Sequence, residues 1–152
     1  APANMRTLIE AQLADDGATD RYIITDGGSI EVMSAADIVM LASGTAALES
    51  ALLVKPTVAA YQVSRLSAII FRLFKLLKTD YFTLPNLLTE VPVIPEFIQE
   101  AATPEALAAE VTALLTDSER REEIATRFAK LRDELALGAD ERAAEAVINL
   151  AN

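Results

Sequence analysis

"DIVMLASGTAALESALLVKPTVAAY", Asp37 to Tyr61, decides how this chain is read. Asp37-Ile-Val-Met-Leu is a strand-like run of branched apolar residues that stops at Ser43-Gly44-Thr45. Ala46 to Val54 follows at once as a helix-forming run, and Lys55-Pro56 breaks it. Thr57 to Ala60 is strand-like again. A strand, a helix and a second strand joined this tightly predict parallel strands with a crossover helix between them.

The pattern extends outward on both sides. Met5, Leu8, Ile9 and Leu13 have helical spacing, and Asp15-Asp16-Gly17 ends that helix. Tyr22 to Thr25 reads as a short buried strand closed by Asp26-Gly27-Gly28, and Ser29 as the cap of a short helix through Met33 to Ala36. Ser64 to Lys78 is one long helical pattern, and Leu84 to Pro95 is irregular, punctuated by Pro85, Pro92 and Pro95. Thr103-Pro104-Glu105 starts a helix whose apolar stripe is Leu107, Val111, Leu114 and Leu115. A further helix runs from about Ser118 to Leu137, with Ile124, Phe128, Leu131 and Leu135 on one face and Gly138 as its stop; Asp140 opens a last one to about Leu150.

The fold class expected is therefore α/β: a parallel sheet with helices on both faces, ending in several helices. The chain opens on a helix without an initiator methionine, and the first strand of the sheet is missing. It reads as one domain over residues 1–152, incomplete at its N-terminus and belonging to the C-terminal part of a longer protein, with about 104–152 as a helical tail. There is no internal repeat.

Composition narrows the chemistry. The 152 residues are 52% apolar, enough for a real core. No apolar stretch reaches the roughly 20 residues of a membrane span. Cysteine and histidine are both absent, which removes disulfides, Ser-His-Asp and Cys-His nucleophiles and the usual zinc sites. A net charge of −10 argues against a nucleic-acid partner.

A helix that starts right after a parallel strand points its free N–H groups and the positive end of its dipole into the crevice at the strand's carboxyl end. An anion is favoured there. Gly44 would let a phosphate approach the backbone, and the Ser43 and Thr45 hydroxyls would add donors without bulk. Glu49, one turn further on, would accept hydrogen bonds from vicinal hydroxyls such as those of a ribose. The arrangement suits a nucleoside diphosphate with its sugar alongside. An ordinary cap, turn glycine and surface glutamate account for the same pattern.

"ASGTAALE" (Ala42–Glu49), "KTDYFTLPNLL" (Lys78–Leu88), "PEFIQ" (Pro95–Gln99) and "LGADERAAEAVI" (Leu137–Ile148) occur in this order in the lipid-A-disaccharide synthase family, and nearly the whole chain resembles the C-terminal part of its members. The resemblance implies the C-terminal, Rossmann-like half of an inverting GT-B glycosyltransferase. It implies a UDP-linked 2,3-diacylglucosamine donor, a 2,3-diacylglucosamine 1-phosphate acceptor, and release of UDP as the lipid A disaccharide forms. Ser43, Gly44 and Thr45 would then face the UDP phosphates and Glu49 the ribose. Asn86 would lie near the donor or serve as a turn residue after Pro85. Gln99 would reach the donor sugar or the phosphates, or mark a helix entry. Tyr61 would stack or hydrogen-bond at the crevice, or close the edge of the core.

Two parts of the family pattern are not in this chain. One is the N-terminal half, with the acceptor site and the carboxylate expected as general base. The other is a Gly-Ser-Arg turn whose arginine would help neutralise the diphosphate. No catalytic residue, cofactor or metal ligand is assigned here.

Tyr61 to Asp80 is a basic island. Arg65, Arg72, Lys75 and Lys78 against Asp80 give it +3, leaving −13 on the remainder. On a helical wheel Leu66, Ile69, Ile70, Leu73, Phe74, Leu76 and Leu77 share one arc, and the four cations the other, with Phe71 among them. Such a helix either lies on an anionic membrane surface, with Arg65, Phe71, Arg72, Lys75 and Lys78 in contact, or covers the sheet with its cations in water. The implied location is the bacterial cytoplasm, peripheral at the inner face of the inner membrane; a homo-oligomer stays open. Two other readings stand beside this one: the C-terminal half of another UDP-sugar enzyme, such as a UDP-N-acetylglucosamine transferase or 2-epimerase, and a non-catalytic nucleotide-binding or membrane-docking module.

Overall fold

The computed structural model describes residues 3–42, 44–62, 81–136, 138, 144 and 147–149. The Ser64–Lys78 pattern, and most of the helix expected from Asp140, lie outside the described residues. The chain divides into two compact units, Ala1–Val32 and Met33–Asn152.

In the first unit, α1 spans Ala3–Asp15. It closes as expected at Gly17, whose φ of +61° lets Gly17 N donate to Ala14 O and Ala18 N to Leu13 O. Arg6 donates to Glu10 Oε1 at 2.8 Å and to Asp26 Oδ2 at 2.7 Å, tying the Asp26-Gly27-Gly28 turn to α1. Residues 22–25 do not form the buried strand expected of them. They are irregular, and Ile23 is 93% exposed. A strand is held by a ladder to a neighbouring strand, and the described sheet consists of three strands that do not include residues 22–25. Ser29 is likewise not a cap. It is the first residue of α2 (Ser29–Ala35), and Gly28 O accepts from Val32 N, which puts the cap one residue earlier.

The second unit is the α/β body. In chain order it holds β1 (Val39–Leu41), α3 (Gly44–Leu52), β2 (Thr57–Tyr61), α4 (Leu84–Leu88), β3 (Glu96–Ile98), α5 (Pro104–Thr116) and α6 (Ser118–Leu135). The strands form one parallel sheet in the order β1-β2-β3, with Val39 opposite Thr57 and Ala59 opposite Glu96. The region read as irregular thus contains α4, started by Pro85 after Thr83, and leads into a strand.

Three consecutive residues of β2, Thr57, Val58 and Ala59, are at most 1% exposed. Neighbouring strand residues point to opposite faces, so both faces of the sheet are covered at β2. On one face α3 buries Ala47, Ser50 and Ala51, spaced i, i+3, i+4, and these small side chains let the helix lie close to the sheet. α6 adds Ile124, Phe128 and Leu131, and α5 adds Leu114 with Leu107 and Val111 partly buried. These are the expected stripes, except that Leu115 and Leu135 remain exposed. Thr103 caps α5 by accepting from Ala106 N at 3.2 Å, and Asp117 caps α6 by accepting from Arg120 N at 2.9 Å. Gly138 follows α6 at φ +62°.

α3 ends as α1 does, with Val54 N on Ala51 O and Lys55 N on Ser50 O, but the left-handed residue is Val54 at φ +59°. A β-branched residue is disfavoured there; packing of Val54 against the core offsets that cost. The turn leads to a buried polar pair. Thr57 Oγ1 donates to Lys55 O at 2.8 Å, so its contact with Ser50 Oγ at 2.7 Å makes Ser50 the donor. Thr57→Val strands the Ser50 hydroxyl in the core and is expected to cost about 1–3 kcal/mol. Adding Ser50→Ala should restore most of that loss in a denaturation experiment. A double variant less stable than Thr57→Val alone contradicts the pairing.

Candidate binding site at the carboxyl ends of the strands

In a parallel sheet all strands end on one side, and here those ends gather several of the residues singled out in the sequence. β1 runs through Ala42 and position 43 into α3, whose first residue is Gly44. β2 ends at Tyr61 and β3 at Ile98, next to Gln99. Thr45 and Glu49 are exposed on one side of α3, one turn apart, while Ala47, Ser50 and Ala51 face the core. Ser43 lies outside the described residues, as do Arg65, Phe71, Arg72, Lys75 and Lys78.

Gly44 needs no glycine for its own conformation, since its φ is not in the left-handed region. Packing does not demand one either. Among the described residues a Cβ built there would meet only Phe82 O, at an ordinary 3.8 Å. Tyr61 is half-buried with its ring against Phe82, at a centroid distance of 4.2 Å and a tilt of 30°. Phe82 therefore packs on the end of β2 and lies beside the start of α3.

Asn86 is 3% exposed and turned inward. Its Nδ2 donates to Ile94 O and to Glu96 Oε1, each at 2.7 Å, and its Oδ1 accepts from Val93 N and Ile94 N at 2.7 and 2.8 Å. Both donors and both acceptor positions of the amide are used within the chain. Asn86 thus holds the segment before β3 against α4.

Glu96 is the residue that sequence reasoning missed. Its carboxylate accepts from Phe82 N, Thr83 N, Thr83 Oγ1 and Asn86 Nδ2 at 2.7–2.9 Å. Thr83, Asn86 and Glu96 are, with Thr89 and Glu90, the polar residues of the largely apolar stretch from Phe82 to Ile98, and that was the available signal. The second miss is Gln62, just past β2. Its Nε2 donates to Gln99 O at 3.2 Å and Ala102 O at 2.9 Å, bridging the exits of β2 and β3. Gln99 is half-buried at φ +54°, a conformation uncommon for a residue other than glycine.

A groove of about 340 Å³ lies elsewhere, between the segment that leads into β3 and α6, lined by Leu88, Val91, Val93, Arg127, Lys130 and Glu134 among others. The strand ends instead offer the first N–H groups of a nine-residue helix, an exposed hydroxyl and an exposed carboxylate on the same helix, and an aromatic pair beside them. That set can hold an anion and hydroxyls.

The family model described as lipid-A-disaccharide synthetase matches residues 1–149. The chain is 40% identical over 150 residues to a lipid-A-disaccharide synthase of Chromohalobacter salexigens, covering 99% of this chain and 38% of that protein. It is 41% identical over 145 residues to one from Alkalilimnicola ehrlichii, covering 95% and 37%. With one from Pseudomonas aeruginosa it shares 44% over 128 residues, covering 84% and 32%. The chain thus spans little more than a third of the length of the relatives it matches. Its parallel sheet flanked by helices is that of a Rossmann-like half of a GT-B fold, and the chain belongs to the lipid-A-disaccharide synthetase family.

Proposed function

We propose that this chain is the donor-binding part of a lipid-A-disaccharide synthase, a hexosyltransferase, and that it holds UDP-2,3-diacylglucosamine at the carboxyl ends of its strands. Gly44 carries the reading. Neither its φ nor its packing against the described residues requires glycine, whereas a phosphate lying on the start of α3 does. In this reading the α3 amides, Ser43 and Thr45 bind the diphosphate, and the Glu49 carboxylate takes the ribose hydroxyls. Tyr61 and Gln99 line the crevice, and Asn86 supports its wall from behind. Leaving-group charge is stabilised by the helix dipole together with groups outside this chain. The rest of the enzyme supplies the acceptor site and the general base, so the chain alone forms no disaccharide. Family membership favours this over another UDP-sugar enzyme or a free-standing module.

Gly44→Ala and Glu49→Ala separate binding from folding. Alanine is a better helix residue than glycine, so Gly44→Ala should leave the melting temperature unchanged or slightly raised, while UDP affinity by calorimetry falls at least about tenfold, near 1.4 kcal/mol. Glu49→Ala should weaken UDP by about 1–3 kcal/mol, and EDTA should leave wild-type binding unchanged. Wild-type affinity in both variants, or a strict metal requirement, overturns the reading.

The work-place proposed is the cytoplasmic face of the bacterial inner membrane. No described helix is long and apolar enough to cross a membrane. α4 is polar inside and apolar outside: Asn86 is buried, whereas Leu84, Leu87 and Leu88 are exposed and Val91 beyond them is too. This apolar face follows directly on the basic stretch Arg65–Lys78. The two together suit an anionic bilayer, with about 1 kcal/mol per cation near its surface. Anionic vesicles should sediment the chain at low salt and not at high salt, and Arg72→Ser, Lys75→Ser and Lys78→Ser together should abolish sedimentation. Equal behaviour of the two proteins assigns the basic stretch to covering the sheet.

A further inference from the structure

We propose that Glu96 is a positioning residue for the donor, which it serves by fixing Phe82; the inference rests on the reading of the strand ends as a UDP site. Glu96 opens β3, 14 residues after Phe82 in the chain. Its Oε2 takes the Phe82 N–H at 2.7 Å, and its Oε1 takes the Thr83 N–H, the Thr83 hydroxyl and the Asn86 amide. Four donors meet about the number of lone-pair sites a carboxylate offers. Bonds to an ionised acceptor are short and directional, so the backbone at 82–83 is located by the strand rather than by its own turn. Thr83 is fully buried and has little freedom to take another position.

What is located matters for the crevice. The Phe82 ring lies on Tyr61, at the end of β2, and among the described residues the Phe82 carbonyl is the atom nearest to the open side of Gly44, at the start of α3. One residue therefore borders both walls between which the diphosphate is placed. Neither Glu96 nor Phe82 has to touch the donor. A change at Glu96 is transmitted through Phe82 to the width of the crevice, and the pair acts as a unit.

Glu96→Gln tests this. An amide offers one acceptor atom and one NH₂ donor group to a site of three N–H donors and one hydroxyl, so either Phe82 N or the pair Thr83 N and Asn86 Nδ2 loses its partner, depending on the orientation. UDP affinity, measured by calorimetry on the chain at a temperature where circular dichroism shows it folded, is expected to fall about tenfold. Phe82→Leu leaves Glu96 its backbone bonds and removes the ring from Tyr61; it should weaken UDP similarly, and it decides the matter should Glu96→Gln not fold. The double variant should bind no more weakly than the weaker single one, because both changes interrupt the same path. A role for Glu96 in stability alone would lower the melting temperature and leave affinity at wild type, which overturns the inference, as does a double variant whose losses simply add. Wild-type affinity in Phe82→Leu overturns it too. UDP failing to bind the wild type overturns the donor reading, and this inference with it.

Discussion

A single carboxylate with four donors holds together the part of this protein that differs from a plain strand-helix-strand unit. Glu96 gathers Phe82, Thr83 and Asn86, and Asn86 in turn takes Val93 N, Ile94 N and Ile94 O. Every backbone group in that list lies in a stretch with little regular structure, where unpaired N–H and C=O groups would otherwise have to reach water. Because those groups are satisfied, Val93 and Ile94 can be buried between α4 and β3, and β3 can join the sheet at Ala59. Two of the stretches that carry the family resemblance, around Thr83-Leu-Pro-Asn86 and Pro95-Glu-Phe97, are thus two halves of one hydrogen-bonded unit.

The rest follows from how closely α3 lies on the sheet. Ala47 and Ala51 present no bulk, and the Ser50–Thr57 bond stitches the end of α3 to the start of β2. The start of α3 is thereby brought to the strand ends, with its exposed face carrying Thr45 and Glu49. The same 3.6-residue period that hides 47, 50 and 51 displays 45 and 49. Around it, Gln62 holds the exits of β2 and β3 together through two carbonyls, which keeps Gln99 in its left-handed conformation.

Much of this was legible in the sequence where local signals and tertiary structure agree. β1, α3 and β2 were read from Asp37–Tyr61 because apolar runs, helix formers and Lys55-Pro56 all point the same way. α5 and α6 were read from their caps and stripes. Tyr22–Thr25 misled because a short apolar run looks the same whether or not a neighbouring strand is there to pair with it. β3 was passed over because three residues behind Pro95 carry no period of their own; the ladder to β2 makes them a strand. Asn86 read as a residue near the donor, and its type says nothing about which way the amide turns. Only the fold shows that Glu96, ten positions on, stands opposite it. Gly44 is the reverse case: it was singled out from type and place, and only in three dimensions does it emerge that neither its φ nor its packing against the described residues calls for glycine.

The central claim is that the start of α3, at the strand ends, receives a nucleoside diphosphate. Titration of the isotopically labelled chain with UDP, followed by backbone amide resonances, tests it directly. The account predicts that the amides of Gly44, Thr45 and Ala46 move first and furthest, followed by those of Tyr61 and Phe82, while Leu131 on α6 and Leu13 on α1 stay in place. Saturable binding that shifts the groove lined by Leu88, Arg127 and Lys130 and leaves Gly44–Ala46 unmoved would contradict it.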